Sequence, residues 1–256
     1  TRRVLRNAIS AYSFLHRKCQ AIQTTRMSLY GWVILLSFIG PFALSFDKKV
    51  AFYKDWRFVI PAIIGAAIPF ILWDIQFTEW EIWGFTPRYL QGTYFYNLPI
   101  EEVLFFFVVP YNFLFILRVI QAYFPKREAP KFIGIIAWVV ILSSLLLQAI
   151  YHDNYYTFSA TFFSATLTAF LWKKHWFSDF IWAYLLCLIP FFIVNGILTG
   201  AFTPEPIVWY NSAHIIGFRM VSIPFEDLYY NFDLTILLTW IYFSLKKRKE
   251  NLDRVL

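Results

Sequence analysis

Charge is scarce in this chain of 256 residues: only 15% are Asp, Glu, Lys or Arg, where an ordinary soluble domain carries about 25%. With 59% hydrophobic and 22% aromatic residues and a mean hydropathy of +0.53, too few charges remain to cover the exterior of a water-soluble fold. Cysteine is nearly absent as well. Cys19 and Cys187 offer neither a disulfide framework nor a metal-ligand spacing, and His152, His175 and His214 are too dispersed to supply one, so no metal centre is expected. Acids are outnumbered, 16 against 23 basic residues, yet the formal net charge of +7 is not arranged as in a nucleic-acid binder. The basic residues flank apolar runs instead of lining one polar helix, which marks them as topology determinants beside membrane lipid.

Long apolar stretches dominate what is present. Those at 29–46, 58–75, 98–124, 132–150, 155–172, 177–198 and 223–245 predict an all-α polytopic transmembrane helical bundle of about seven spans. Pro61, Pro69, Pro110 and Pro190 fall inside these runs; neighbouring helices in a bundle can satisfy the carbonyls a proline frees, so the spans are kept and kinks are expected. One set of loops carries Lys48, Lys49, Lys54 and Arg57, then Lys126, Arg127 and Lys131, then Lys173 and Lys174, then Lys246, Lys247, Arg248, Lys249 and Arg254, against Arg88 and Arg219 opposite. The positive-inside rule then predicts a cytoplasmic C-terminus, in a bacterial plasma membrane. Residues 1–26 carry Arg2, Arg3, Arg6, Arg17, Lys18 and Arg26 and no acid, a basic segment on the wrong face. It is expected to be a presequence or a non-native extension ahead of Met27, leaving 27–256 as a single membrane domain.

An internal repeat organises that domain. Asn97-Leu98-Pro99-Ile100-Glu101-Glu102 is echoed 125 residues later by Ser222-Ile223-Pro224-Phe225-Glu226-Asp227, and each copy opens a long apolar span. The span before each copy ends in a polar residue, Asp74 after Trp73 and Asn195 after Val194, followed by a long loop rich in Trp and Tyr. The chain therefore divides into repeat one (27–124), a connector helix (132–150), repeat two (155–245) and a basic tail (246–256). Four spans separate equivalent helices, so the two three-helix repeats run parallel, and both acidic pairs start on one side of the membrane.

A proline at a helix start followed by Glu is also an ordinary helix N-terminus, and Glu101 and Glu226 are explained equally well as caps. Two features weigh against that alone. Adjacent acids project about 100° apart on a helix, so one can cap while the other faces the bundle. Carboxyl groups at the mouth of an apolar run, with little basic company beyond Arg219, are costly near lipid and tend to mark a site. Most of the 30 Phe, 16 Tyr and 11 Trp residues must be lipid-facing or interfacial. The subset near the acids, Trp73, Trp80, Trp83, Phe105, Phe106, Trp209, Tyr210, Tyr229 and Tyr230, is dense enough to line a cavity whose ring faces stabilise a cation. Asp74 and Asn195 are either part of that site or no more than helix-terminal polar groups.

The Pro-x-Glu-Glu and Pro-x-Glu-Asp motifs, together with Trp83-Gly84-Phe85, Asn195-Gly196-Ile197-Leu198-Thr199-Gly200, Val208-Trp209-Tyr210-Asn211 and Gly217-Phe218-Arg219, resemble those of the small membrane lycopene β-cyclases. These occur both as two half-size polypeptides and as one fused chain, and the resemblance covers about 29–245. It implies a redox-neutral isomerisation of lycopene and related linear carotenoids, through γ-carotene to β-carotene, without a cofactor; no flavin or nucleotide motif is present. It implies that Glu101, Glu102, Glu226 and Asp227 supply the proton donor and acceptor, with Asp74, Trp73, Trp83, Phe105, Asn195, Trp209, Tyr210, Arg219 and Tyr230 around the substrate. Three other readings are weighed. A seven-span retinal protein needs a lysine inside its last span, where none precedes Lys246. A UbiA-like prenyltransferase needs aspartate-rich Mg²⁺ motifs, which the Pro-x-Glu-acid spacing does not provide. A transporter built from parallel repeats remains the non-enzymatic alternative.

Overall fold

The structure is a computed structural model that describes residues 27–125, 130 and 132–253. The basic segment 1–26, and the topology residues Lys126, Arg127, Lys131 and Arg254, lie outside the described residues. Seven α-helices run through those that are described: α1 Leu29–Leu44, α2 Trp56–Glu79, α3 Ile100–Tyr123, α4 Phe132–Ile150, α5 Tyr155–Leu171, α6 Phe177–Leu198 and α7 Glu226–Asp253. Pro41, Pro61, Pro69, Pro110 and Pro190 all sit inside helices that continue past them. The segments Phe52–Glu79, Ile100–Tyr123, Phe132–Ile150 and Phe177–Leu198 are long and apolar enough to cross a membrane. α1 is apolar but has 16 residues, ~24 Å of helix against about 30 Å of hydrocarbon. Large apolar side chains such as Leu36, Leu72, Ile135, Leu142, Phe170 and Ile189 point outward, as a bundle solvated by lipid requires.

Several helix boundaries differ from expectation. The third and seventh helices begin after Pro99 and Phe225, because Leu98–Pro99 and Ile223–Pro224 are short strands. At the other end α7 runs on to Asp253, so the described basic residues from Lys246 onward extend the helix, in a stretch rich in good helix formers and free of Gly and Pro. Lys246 there joins Arg118 of α3 and Tyr242 around Asp55, with ion pairs of 3.4 and 2.8 Å and a Tyr242 hydrogen bond of 2.8 Å.

The helices interlock as two triplets. α1 packs on α3 and α5 on α7; across the halves α2 packs on α7 and α6 on α3. Ala62, Gly65 and Ala66 form the small-residue stripe that lets α2 approach α7, where a Cβ on Gly65 would meet Ile241 at 3.4 Å. α4 packs on α5 and buries only Ile133, Ala137 and Ser144, as a peripheral connector does.

The loops repeat as faithfully as the helices. Strands β2 (Tyr94–Phe95) and β3 (Leu98–Pro99) form one hairpin, and β5 (Arg219–Met220) and β6 (Ile223–Pro224) form another at an offset of 125, each turning through a residue of positive φ, Tyr96 at 58° and Val221 at 61°. Strand β1 (Trp83–Phe85) pairs antiparallel with β4 (Val208–Tyr210), Gly84 opposite Trp209. Offsetting by 125 maps this pairing onto itself, and the flanking bonds Thr86 N–H to Ile207 O and Asn211 N–H to Ile82 O are both 2.9 Å. The local two-fold axis thus passes between Gly84 and Trp209. Two large residues cannot share that point: a Cβ on Gly84 would fall inside the Trp209 indole.

Candidate functional site

Each acidic pair splits its duties. The first acids tie the scaffold together. Glu101 Oε1 accepts hydrogen bonds from Ser28 Oγ at 2.5 Å and from the Gln91 N–H at 2.6 Å, while Glu226 Oε1 accepts from Thr157 Oγ1 at 2.7 Å and from the Ile216 N–H at 2.5 Å. In both halves a buried carboxyl thereby joins the long loop to the first helix of its own triplet. The second acids, one position on and about 100° round the helix, turn into the bundle.

Glu102 and Asp227 line one cavity of about 330 Å³, together with Asp74, Trp83, Phe105, Asn195, Tyr210 and Tyr230 from the expected set. Among the described residues, no Lys, Arg or His lines it, and the lining is otherwise mostly apolar. The two carboxyls are furnished differently. Asp227 receives three donors: Tyr156 OH at 2.7 Å on one oxygen, and Asn195 Nδ2 at 2.7 Å and Tyr210 OH at 3.0 Å on the other. Glu102 has a single donor among the described residues, Tyr30 OH at 2.6 Å. Burial first, then the charge of Asp227, pushes the Tyr210 phenol well above its ordinary range, so it stays a donor. Asp74, at the position equivalent to Asn195, accepts a hydrogen bond from Trp83 Nε1.

Aromatic rings wall this chamber. Trp83 and Tyr156 meet edge to face at 5.0 Å, Tyr156 and Tyr210 stack at 5.9 Å, and Tyr230 stands 5.9 Å from Trp83. Such faces stabilise a cation where water is excluded. Of the remaining expected residues, Trp73 lies behind Tyr230, 5.0 Å from its ring, and outside the lining. Trp209 and Arg219 border a smaller pocket beside Ser222, where the Arg219 guanidinium donates to the Ser222 carbonyl at 2.7 Å and sits over the Tyr210 ring.

Three residues escape the sequence argument. Tyr30 and Tyr156, the phenols that hold Glu102 and Asp227, were legible in principle: Ser28-Leu29-Tyr30 and Asn154-Tyr155-Tyr156 extend the repeat backward at an offset of 126. Asp233, about two turns into α7, is buried against Ser164 Oγ at 2.5 Å and lies outside the cavity lining; its place deep in an apolar run was the signal.

Comparison with known proteins gives the same outline. A family model described as "Lycopene cyclase" matches residues 27–120 and 153–245. A protein named "Bifunctional lycopene cyclase/phytoene synthase", from Aspergillus oryzae (strain ATCC 42149 / RIB 40), is 29% identical over 98 residues, which is 38% of this chain and 16% of that protein. The matched part is thus about a sixth of that relative's length. No solved structure matches.

Proposed function

Since this chain belongs to the lycopene cyclase family, we propose that it closes the linear ends of lycopene into β-ionone rings, passing through γ-carotene to β-carotene with no change of oxidation state. The observation that carries this reading is the pair of carboxyl groups, Glu102 and Asp227, brought from opposite halves into one aromatic-walled cavity with no basic residue among its described lining residues. Protonated Glu102 gives its proton to C2 of the terminal C1=C2 bond and leaves a tertiary cation at C1. The C5=C6 bond attacks, forming C1–C6 and moving the charge to C5. Asp227 then removes the C6 proton, and the electrons left behind restore C5=C6, which fixes the β rather than the ε ring.

The assignment of donor and acceptor rests on proton inventory. An ionised carboxylate only accepts hydrogen bonds, and Asp227 is surrounded by three donors. Glu102, with one donor, keeps an oxygen free to carry the proton to be delivered. Trp83, Tyr156, Tyr210 and Tyr230 offer ring faces to the travelling positive charge. By charge distribution most of the described basic residues, Arg88 and Arg219 excepted, gather at the end of the bundle remote from the cavity loops, which by the positive-inside rule favours a cytoplasmic C-terminus and a site toward the opposite leaflet.

Expression in lycopene-accumulating cells, with extraction and chromatographic separation of pigments, tests the reading. The unaltered chain yields cyclised pigment; Glu102→Gln and Asp227→Asn leave lycopene while the protein remains in the membrane. Cyclised pigment at full yield from both amide variants sinks the carboxyl mechanism, and none from the unaltered chain sinks the cyclase reading.

A further inference from the structure

The cavity is not sealed. Pro190 and Ile193 of α6 line it and are at the same time exposed on the outer face of the bundle, Ile193 by 57%, and Ser37 and Pro41 of α1 face them across the gap. A residue that touches both the cavity and the exterior marks a mouth. Ser37 lies midway along α1 and Pro190 and Ile193 in the second half of α6, so this mouth opens sideways at the depth of the hydrocarbon, not toward water.

The local two-fold axis predicts a second mouth, between α5 and α2, and there the cleft is shut. In the register that matches Tyr30 with Tyr156 and Asp74 with Asn195, Ser37 corresponds to Phe163 and Val194 to Trp73. The Trp73 ring packs 5.2 Å from Phe163, 5.0 Å from Tyr230 and 5.5 Å from Phe70, forming an aromatic plug. Small residues stand at the open cleft where large aromatic ones stand at the closed one.

Resting on the proposed cyclase reading, we infer that the α1–α6 cleft is the channel that holds the polyene arm of a linear carotenoid, which enters from the bilayer end first and stays half outside the protein during ring closure. Size supports this occupant. A forty-carbon polyene is roughly as long as the hydrocarbon core is thick, about 30 Å, whereas a cavity of about 330 Å³ accommodates only its terminal, ring-forming part. Chemistry supports it too. The carboxyl groups Glu102, Asp74 and Asp227, with Asn195, sit toward the loop-side ends of their helices, while Pro41, Val109, Ile116, Pro190, Phe191 and Ile193 give the arm a largely hydrocarbon wall, broken by Ser37, Asn112, Asn231 and Thr235. With one open mouth among the described residues, the two ends of a carotenoid are processed one at a time, with release and reversal between them.

The test transplants the plug. Ser37→Phe combined with Val194→Trp fills the open cleft with the residues that close its counterpart; Ile39→Trp, on the exposed side of α1, adds bulk outside the channel. Two readouts are taken for each: cyclised pigment in lycopene-accumulating cells, and lycopene co-eluting with the detergent-purified protein on gel filtration, with melting temperature to verify folding. The filled variant is expected to lose at least ten-fold in both while melting like the unaltered protein, and Ile39→Trp to match the unaltered protein. If the filled variant unfolds, Ser37→Leu and Val194→Phe, made singly, are expected to give graded losses in both readouts. A correctly folded filled variant, or either single variant, that binds and cyclises at the unaltered level overturns the channel. Lycopene bound by the unaltered chain and lost by the filled one, with no cyclised pigment from either, keeps the channel and overturns the cyclase reading instead.

Discussion

The two halves share a framework and differ in what they hang on it. Glu101 and Glu226 make equivalent hydrogen bonds, the two hairpins coincide residue for residue, and the central strand pair is its own mirror under the repeat. The second acids break the likeness: among the described residues Glu102 has one donor and Asp227 three, while Asp74 stands where the other half has Asn195. The clefts break it again, open beside Ser37 and Val194 and plugged by Phe163 and Trp73. Duplication supplied a symmetric frame, and divergence of a few side chains gave its two cavity-facing carboxyls unequal hydrogen-bond surroundings. Backbone positions carry the symmetry and side chains carry the chemistry.

The largest way to break the comparison is at the second acids. Asp227→Asn and Glu102→Gln each lower the rate of ring closure by about 10²- to 10⁴-fold, the usual contribution of a positioned acid or base, as read by pigment yield in cells and initial rate in membranes. Their supporting phenols come next. Tyr30→Phe strips Glu102 of its sole described donor, whereas Tyr210→Phe leaves Asp227 with two, so the first variant loses more activity, the second roughly ten-fold or less, since one hydrogen bond to a charged group is worth about 1.5–3 kcal/mol and the other two donors compensate in part.

The scaffold acids predict a change in stability that is equal in the two halves. Glu101→Ala or Glu226→Ala leaves a loop N–H and a hydroxyl without their acceptor and costs about 1–3 kcal/mol each, seen as matching drops in melting temperature in detergent. Unequal drops would show that the frame is less symmetric than its hydrogen bonds. The smallest effect has the opposite sign. Val221 and Tyr96, exposed by 88% and 75%, hold a positive φ that disfavours a side chain, so Val221→Gly or Tyr96→Gly relieves up to about 1–2 kcal/mol and raises the melting temperature slightly.

Much of this was legible in the chain. The apolar runs place all seven helices, missing by eight residues only at the charged C-terminal end of α7, because burial in lipid leaves a compositional trace that a charged helical extension does not. The duplicated Pro-x-Glu-acid motif located both acid pairs. The hairpins at 94–99 and 219–224 were absorbed into the starts of spans, since strands of two residues carry no periodicity to detect. Trp73, grouped with the substrate residues by its closeness to the acids, packs against Phe163 and Tyr230 outside the cavity lining, because neighbours on a helix point in different directions.

By itself the sequence determined the solvent, the duplication and the kinds of group at the site, since each of these follows from composition or from identity between segments. Only the tertiary structure decided which acid of each pair faces the cavity, which phenols reach it and which of two equivalent clefts stays open. Those outcomes depend on the rotation of each helix about its own axis, and that rotation is set by packing against helices distant in sequence, as in the contacts Tyr30–Glu102 and Tyr156–Asp227, 72 and 71 residues apart.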